Sequence, residues 1–133
     1  MIQFSDDEVR TSIIDEIQAT ATIMAKLSDA SEIRELDWSG SDFSYPNYRV
    51  RINSLNYFDD CYQEASISVY GYSESYSSKE AGQMAKVVAN HFHNRGFTRT
   101  GITFAHTKAT IIPAIKQGNL TWRSEVQINS IVS

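Results

Sequence analysis

Side chains that could carry out catalysis or bind a metal ion are few in this 133-residue chain. His91 and His93 form an H-x-H pair, but the surrounding pattern predicts a helix. Residues two apart on a helix point about 200° away from each other, so the pair is not expected to chelate one metal ion. His106 is distant in the sequence and has no convincing partner. We interpret all three as surface or interface histidines.

Cys61, Asp59 and Asp60 are the other candidates for chemistry. As the only cysteine, Cys61 excludes an intramolecular disulfide and a cysteine-based zinc site. A cysteine nucleophile would need a histidine base and a recognisable surrounding signature, which the sequence lacks. Adjacent aspartates are ordinary residues of a solvated turn. The sequence also lacks a phosphate loop, a G-x-S-x-G motif and a metalloprotease helix motif, so we expect no enzyme, no catalytic residue, no metal site and no cofactor.

The length is typical of one domain spanning 1–133, because domains cluster at about 100–150 residues. The longest apolar stretches are far shorter than the ~18–20 residues of a membrane helix, and no basic and apolar leader opens the chain. We therefore expect neither a membrane span nor a cleaved secretion signal.

Acidic and basic residues are segregated along the chain. The formal net charge of −4 disfavours wholesale wrapping of nucleic acid. Residues 1–44 contain ten acidic and three basic residues, residues 45–78 contain four and two, and residues 79–133 contain two and seven. The chain is therefore acidic at its start and basic at its end.

The first predicted helix covers 6–27. Ser5 and Glu8 have the spacing of a capping box, in which the serine accepts from an early amide and the glutamate reaches back. Apolar residues then recur every three or four positions, which predicts one buried stripe. The stretch 19–22, made of alternating alanine and threonine, is a plausible bend or restart.

A second helix is predicted over 78–95. Ser77 and Glu80 have the capping-box spacing, an apolar stripe follows, and Gly96 supplies a left-handed stop. The stripe indicates that one face of this helix packs on a sheet.

Strands are predicted before the second helix. A short strand is expected within 33–38, followed by the turn-rich residues 39–46. Alternating apolar and polar residues predict strands at 48–53 and 65–69. A turn around 59–60 joins these two strands in an antiparallel hairpin.

Two more strands follow the second helix. One is expected over 98–112, with Gly101 as a bulge or break and Pro113 either ending it or placing it on a sheet edge. The last is expected over 120–128. The order α-β-β-β-α-β-β indicates an α+β fold, in which two main helices pack on one face of an antiparallel, or mixed, sheet.

Tyrosines are concentrated around the predicted hairpin, since all seven lie within 45–76. Strand alternation predicts that Tyr70 and Tyr72 point away from the helices, and Tyr57 and Phe58 lie near the hairpin turn. Tyrosine is enriched at protein interfaces, although strand propensity alone also favours it. We interpret these four residues as a partner-contact face, with an ordinary strand role as the alternative. A nucleic-acid platform would need more interleaved basic residues.

In the order and spacing of its segments, the chain resembles the tail terminator, or tail completion, family of long-tailed bacteriophages. The similarity covers most of the chain but includes no invariant or catalytic motif. It lies in the opening helix, the helix over 78–95 and five short segments: Tyr45-Pro46, Tyr48-Arg49-Val50-Arg51-Ile52, Ala65-Ser66-Ile67-Ser68-Val69-Tyr70-Gly71, Ile111-Ile112-Pro113 and Leu120-Thr121-Trp122-Arg123-Ser124-Glu125-Val126.

The resemblance implies a structural virion protein that forms a ring, usually a hexamer, on the finished tail tube. Implied partners are further copies of the chain, the tail tube protein and a head–tail connector or neck protein. Viral DNA passes only transiently and without specific binding, and no membrane is involved. The implied location is the tail or neck of the virion, after assembly in the host cytoplasm. Another neck or head-completion ring protein is the alternative, because those proteins have similar sizes and folds.

The segregated charge fits a ring, since heterologous contacts join unlike faces of neighbouring subunits. Our hypothesis is that acids of the first third approach bases of the last third across the subunit interface. The acids are Asp15, Glu16, Asp29, Glu32 and Glu35, and the bases are Lys108, Lys116 and Arg123. The alternative is that these charges neutralise each other within one subunit.

A channel for DNA should not hold phosphates tightly, and acidic residues avoid the hold that lysine and arginine impose. Asp59 and Asp60 are therefore the candidates for lumen-facing residues. Two other functions stay open. One is a small protein-binding module that uses the tyrosines, and the other is a hydrolase or nuclease that relies on the two aspartates and a histidine.

Overall fold

Three helices and six strands form the part of the chain that the computed structural model describes, residues 3–38, 40, 44–57 and 62–133. The helices are α1 (Asp6–Gln18), α2 (Ala21–Met24) and α3 (Lys79–Phe92). The strands are β1 (Ile33–Glu35), β2 (Asn47–Tyr57), β3 (Gln63–Glu74), β4 (Phe97–Arg99), β5 (Ile102–Lys116) and β6 (Thr121–Val132). The predictions for Phe58, Asp59, Asp60 and Cys61 lie outside the described residues.

The six strands form one sheet in the order β1-β2-β3-β6-β5-β4. β1 runs parallel to β2, while every other neighbouring pair is antiparallel, so the sheet is mixed. The predicted α+β class and the antiparallel β2–β3 hairpin are confirmed. The predicted order lacked α2 and β4, and β1 is shorter than the strand expected within 33–38.

The sheet curls around α1. Arg10 of this helix forms an ion pair with Glu35 of β1, at 2.9 Å between Nη2 and Oε2. Ser12, half a turn further on, donates from its hydroxyl to the carbonyl oxygen of Arg99 in β4 at 3.2 Å. Because β1 and β4 are the two edges of the sheet, one helix contacts both edges.

The hydrophobic core lies between the helices and one face of the sheet, which confirms the predicted placement of both main helices. Burying a large apolar side chain contributes about 1.5–3 kcal/mol, so these stripes dominate the stability of the fold. The fully buried members include Val9, Ile13 and Ile17 of α1, Met84, Val88 and Phe92 of α3, and Val50, Ile67, Phe104 and Ile128 of the strands. No helix of the described residues combines the length and apolar character needed to cross a bilayer.

α1 begins as its sequence predicts, but the helix predicted over 6–27 is two helices, which end at Gln18 and Met24. The hydroxyl of Ser5 accepts from the Glu8 amide at 3.2 Å, and the Glu8 carboxylate accepts from the Ser5 amide at 3.2 Å, which completes the capping box. The helix stops at Gln18 because Thr20 is extended and donates its hydroxyl to the carbonyl oxygen of Glu16 at 2.8 Å. The predicted restart within 19–22 is confirmed.

Both ends of α3 differ from the prediction. The capping box expected at 77–80 is wrong, because Ser78 is the N-cap residue with helical backbone angles and no side-chain cap bond. The helix ends at Phe92 rather than 95. The left-handed residue is Asn94, with φ of 60°, and not Gly96. Asparagine tolerates this conformation better than other residues with a side chain, so the left-handed residue comes two positions before Gly96 and the helix ends three residues earlier than predicted.

The strand expected over 98–112 is two strands. Thr100 and Gly101 have φ values of 50° and 80° and form a two-residue turn between β4 and β5. Positive φ at both positions is characteristic of a type I′ turn. β5 then continues through Pro113 with a register shift at that point, so the proline lies on the sheet edge instead of ending the strand.

Candidate subunit and partner interface

The sheet face opposite α1 and α3 is polar, and we call it the outer face. Tyr48 and Gly71 point the other way: the Tyr48 hydroxyl donates to the carbonyl oxygen of Met84 at 3.0 Å, and Met84 packs against Gly71. Alternation therefore places the neighbours of these residues on the outer face. They include Arg49, Arg51, Ser68, Tyr70, Tyr72, Arg123, Glu125 and Gln127. The predicted direction of Tyr70 and Tyr72, away from the helices, is confirmed.

A buried ion pair lies at one side of the outer face. Arg49 Nη2 is 3.0 Å from Glu32 Oε2, and both side chains are 2% exposed. Arg49 Nη1 also donates to the carbonyl oxygens of Tyr48 at 2.9 Å and Glu32 at 3.3 Å. Buried charges of this kind are tolerated only when they are paired and hydrogen-bonded. The negative charge of Glu32 is therefore compensated within the subunit.

Trp38 covers this ion pair. The Arg34 guanidinium lies 3.6 Å from the centroid of the indole ring, and the Arg49 guanidinium lies 5.9 Å from it. Both distances are within the range of cation–π attraction. Arg49 belongs to the polar half of an alternating strand, so the sequence predicts an exposed side chain. Nothing in that alternation indicates that the segment after β1 folds back over it.

Tyr70, Tyr72 and Arg123 form a second group on the outer face. The Arg123 guanidinium lies 5.1 Å from the centroid of the Tyr70 ring, and the two tyrosine rings are 6.5 Å apart. Tyr70 is 8% exposed, which leaves little of its ring for a partner, while Tyr72 is half-buried. Burial raises the pKa of Tyr72, and the charge and hydrogen bond of Arg123 partly offset this.

The remaining members of the predicted contact face are at the hairpin end. Tyr57 is 41% exposed at the end of β2. Phe58 follows it and lies outside the described residues. The partner-contact role therefore stays a prediction that centres on Tyr57 and Tyr72, since Tyr70 is mostly covered.

Glu16 joins α1 to α3 and β4. Its Oε2 lies 2.7 Å from His91 Nε2, and its Oε1 accepts from Arg99 Nη2 at 2.9 Å and Nε at 3.2 Å. Burial alone would raise the pKa of this carboxyl, but the hydrogen bonds and charges of His91 and Arg99 outweigh burial and lower it below 4.5. Glu16 is therefore compensated within the subunit, like Glu32.

Glu35 is the third predicted interface acid with a cationic partner in its own chain, through the ion pair with Arg10. Asp15 is half-buried and Asp29 is exposed. Hydrogen bonds from the amide and hydroxyl of Ser31 lower the pKa of Asp29. Among the ion pairs of the described residues, none includes either of these two aspartates.

The predicted bases lie on β5 and β6. Within the described ranges, the ion pairs include none of Lys108, Lys116 and Arg123. The Lys108 ammonium group donates to the side-chain oxygen of Asn94, and Arg123 contacts the two tyrosines. Of the predicted acids, Glu16, Glu32 and Glu35 pair with cations outside the predicted basic set, and the inter-subunit contact stays a prediction.

His91 and His93 contact different elements. His91 bonds to α1 through Glu16, whereas His93 Nδ1 accepts from the amide of Ala109 in β5 at 3.1 Å. Among the residues with a described structure, no group of three or more histidines, cysteines and acids has the arrangement of a metal site. His106 is exposed on β5 with φ of 53°.

The chain is similar to known proteins in its fold and not in its sequence. No family model matches the chain, and no curated protein matches it in sequence. Among solved structures, the fold is similar to that of a chain from the virion of a native gene transfer agent particle, with a TM-score of 0.62 and 11% sequence identity. The similarity covers 98% of this chain and 98% of that chain. The two proteins therefore share one fold over almost their whole lengths.

Proposed function

We propose that this chain is a structural subunit of a phage-type virion, in which copies form a ring that caps the tail tube and joins it to the head or neck. The observation that carries the proposal is the end-to-end fold similarity to a virion chain, 98% of each chain at a TM-score of 0.62. One fold can support several functions, so the surface of this chain supplies the second line of support.

Charge is segregated along the chain, and a closed ring is built from heterologous contacts between unlike surfaces. Asp15 and Asp29 lie in the acidic first third, while Lys108 and Lys116 lie in the basic last third. In the proposed ring these groups face each other between neighbouring subunits. The hexameric state follows from the resemblance to tail terminators, and a neck or head-completion ring is the alternative assembly.

The proposed role is non-enzymatic and needs no cofactor. The ring leaves a channel for viral DNA, and the overall net charge of −4 favours passage over tight binding of phosphates. Asp59 and Asp60, which lie outside the described residues, stay the proposed candidates for lining this channel.

Measurement of the mass in solution by light scattering, together with negative-stain images, tests the proposal. We expect closed rings of uniform size whose mass is six times 15.0 kDa. We also expect purified rings to bind one end of isolated tail tubes, which distinguishes a tail terminator from another layer of the neck. A chain that stays monomeric at every concentration, with or without tail tubes, would overturn the proposed function.

A further inference from the structure

A depression of about 220 Å³ lies at the edge of the sheet, beside β5 and next to the start of β4. β4 pairs with β5 only as far as Phe104, and the segment that precedes β4 lies beside the following part of β5. The lining residues are Asn94, Arg95, Gly96, His106, Thr107 and Lys108. Because a helix with its side chains is about 10 Å across, a depression of this size takes a side chain rather than a helix. We call it the basic depression.

Two cations of the basic depression lack an acidic partner in the described part of the chain. None of the ion pairs found there includes Arg95 or Lys108, and both side chains are exposed. Arg95 Nε donates to the carbonyl oxygen of His91 at 2.6 Å, and the Lys108 ammonium group donates to the side-chain oxygen of Asn94. These acceptors are neutral, so they orient the two side chains without cancelling their charges. The basic depression can therefore bind an anionic group.

Hydrogen bonds hold the wall of the basic depression in place. β5 shifts its register around His106, which has φ of 53°. The amide of Asn94 donates to the carbonyl oxygen of Thr107 at 2.9 Å, and the buried hydroxyls of Thr107 and Ser130 are 3.0 Å apart. A left-handed residue with a side chain persists only where its surroundings fix it, and bulges often redirect side chains at functional sites. The bulge therefore places His106 and Lys108 in the lining.

A carboxylate of matching chemistry lies in the turn that leads into β1. Asp29 is exposed, and its Oδ1 accepts from the amide of Ser31 at 2.9 Å and from the Ser31 hydroxyl at 2.8 Å. The carbonyl oxygen of Asp29 accepts from the amide of Glu32 at 3.0 Å, which closes the turn. Such a turn fixes the direction of an aspartate side chain. Its donors are neutral, so the negative charge of Asp29 is oriented but not cancelled by them.

We infer that Asp29 of one copy occupies the basic depression of the next copy, where its carboxylate pairs with Arg95 and Lys108. The inference rests on the proposed function and names one contact of its subunit interface. β1 and β4 are opposite edges of the sheet, so the contact joins two different surfaces and can repeat around a closed ring. A carboxylate held by a guanidinium and an ammonium group forms charge-assisted hydrogen bonds, which are roughly twice as strong as neutral ones.

A protein carboxylate suits the basic depression better than a nucleic-acid phosphate does. Exposed Glu64 lines an adjoining depression that shares His106 and Lys108 with it, and this negative charge repels a phosphate backbone. Proteins that hold nucleic acid neutralise several successive phosphates with basic residues. A single carboxylate side chain can reach Arg95 and Lys108 without bringing a row of further negative charges past Glu64. Charge therefore favours the second copy as the occupant.

Charge reversal on each side tests the contact. Arg95→Glu combined with Lys108→Glu, and Asp29→Lys alone, should each weaken ring association at least about tenfold. Lys79→Glu combined with Lys86→Glu, at exposed positions of α3, is the matched control for the first variant and should leave the rings intact. Association is measured by mass photometry over a dilution series, and circular dichroism verifies that each variant is folded.

Asp29→Asn separates the charge of this residue from its part in the turn. Asparagine keeps an oxygen that can accept from Ser31 but has no negative charge, so the turn should stay and the association should weaken. Rings that persist unchanged in both folded Asp29 variants would overturn this inference and leave the proposed ring function standing.

An equimolar mixture of the two reversed variants tests the pairing directly. In an alternating ring, the unchanged Asp29 of one variant meets the unchanged basic depression of the other, and the introduced lysine meets the introduced glutamates. The mixture should therefore form rings that neither variant forms alone, and failure to do so would overturn Asp29 as the occupant.

A labelled DNA duplex tests the other source of an anion. If the variant with both basic residues reversed still forms rings but loses binding of the duplex that the wild type shows, the basic depression serves phosphates and the inference is wrong. A wild-type chain that never assembles would overturn the proposed function itself.

Discussion

The guanidinium of Arg49 lies 3.0 Å from the carboxylate of Glu32, and both side chains are almost fully buried beneath Trp38. This pair joins the segment before β1 to β2, the strand that lies parallel to β1 in the sheet. Two charges in such a place depend on each other, because removal of either partner leaves the other uncompensated away from water. The relationship makes a specific prediction about stability.

Glu32→Ala is expected to lower the free energy of unfolding by about 3–5 kcal/mol, since Arg49 stays buried without its partner. Urea denaturation monitored by circular dichroism measures this loss. Arg51→Ala in the same strand is the control, because Arg51 is exposed and should change the free energy by less than about 0.5 kcal/mol. Equal effects of the two substitutions would contradict the stabilising role of the pair.

Glu16 predicts a pH dependence. Its pKa is lower in the folded state than its ordinary value of 4.5, so the charged carboxylate favours folding above that value. This contribution is lost as the pH falls through the lowered pKa of the folded state. Glu16→Gln should therefore destabilise the protein near neutral pH, and the difference from wild type should shrink below pH 4.5. Glu74→Gln, at an exposed position, serves as the control in the same urea titrations.

Substitution by alanine should change the stability of the protein in opposite directions at two glycines. A Cβ at Gly71 would lie 2.8 Å from the Ser124 hydroxyl and 3.2 Å from Met84 Cβ, so Gly71→Ala should cost about 1–3 kcal/mol of stability. Gly82 lies in α3 with nothing within 4 Å of the new atom. Gly82→Ala should stabilise by about 0.5–1 kcal/mol, because alanine loses less entropy in a helix. Thermal unfolding of both variants compares the two signs directly.

Thr100 is strained by its backbone conformation. A β-branched residue at φ of 50° is unfavourable, and the type I′ turn with Gly101 prefers asparagine at this position. Relief of this strain in Thr100→Asn should therefore raise the free energy of unfolding by about 0.5–1 kcal/mol. The substitution also removes the contact between the Thr100 and Ser12 hydroxyls, which lowers the gain. A lower melting temperature for this variant would show that the hydroxyl contact outweighs the strain.

The charge hypothesis for the ring has its own test. Lys108→Glu combined with Lys116→Glu should disrupt rings while the subunit stays folded, because both lysines are exposed. Wild-type rings should also weaken as salt rises, since surface charges are screened. Asp15→Lys and Asp29→Lys added to the reversed variant should recover assembly. A folded, reversed variant that still forms salt-insensitive rings would remove these charges from the interface.

Local patterns predict the parts of this fold that depend on near neighbours in the sequence. The capping box at Ser5 and Glu8 and the interruption near Thr20 are confirmed, because both are set by residues within one turn. The shift at α3 has the same origin: the serine and glutamate spacing at 77–80 fits a cap, but the chain enters the helix one residue later. The spacing of a serine and a glutamate does not specify the backbone conformation with which the chain enters the helix.

Contacts between distant segments could not be predicted. Alternation along β2 assigns Arg49 to an exposed face, and only the fold shows Glu32 and Trp38 closing over it. Glu16 is likewise a helix residue whose partners, His91 and Arg99, are more than 70 positions away. The exposed Ile111 and Ile115 belong to an apolar run that is visible in the sequence and is interrupted by Pro113.

The position of α1 between both edges of the sheet has a mechanical consequence. The helix contacts β1 through Arg10 and β4 through Ser12. The other four strands of the sheet lie between β1 and β4. While the ion pair and the hydrogen bond persist, the sheet stays curled and α1 stays in contact with both of its edges. We therefore expect loosening of α1 and uncurling of the sheet to be coupled, so that a load on the N-terminal segment reaches both edge strands.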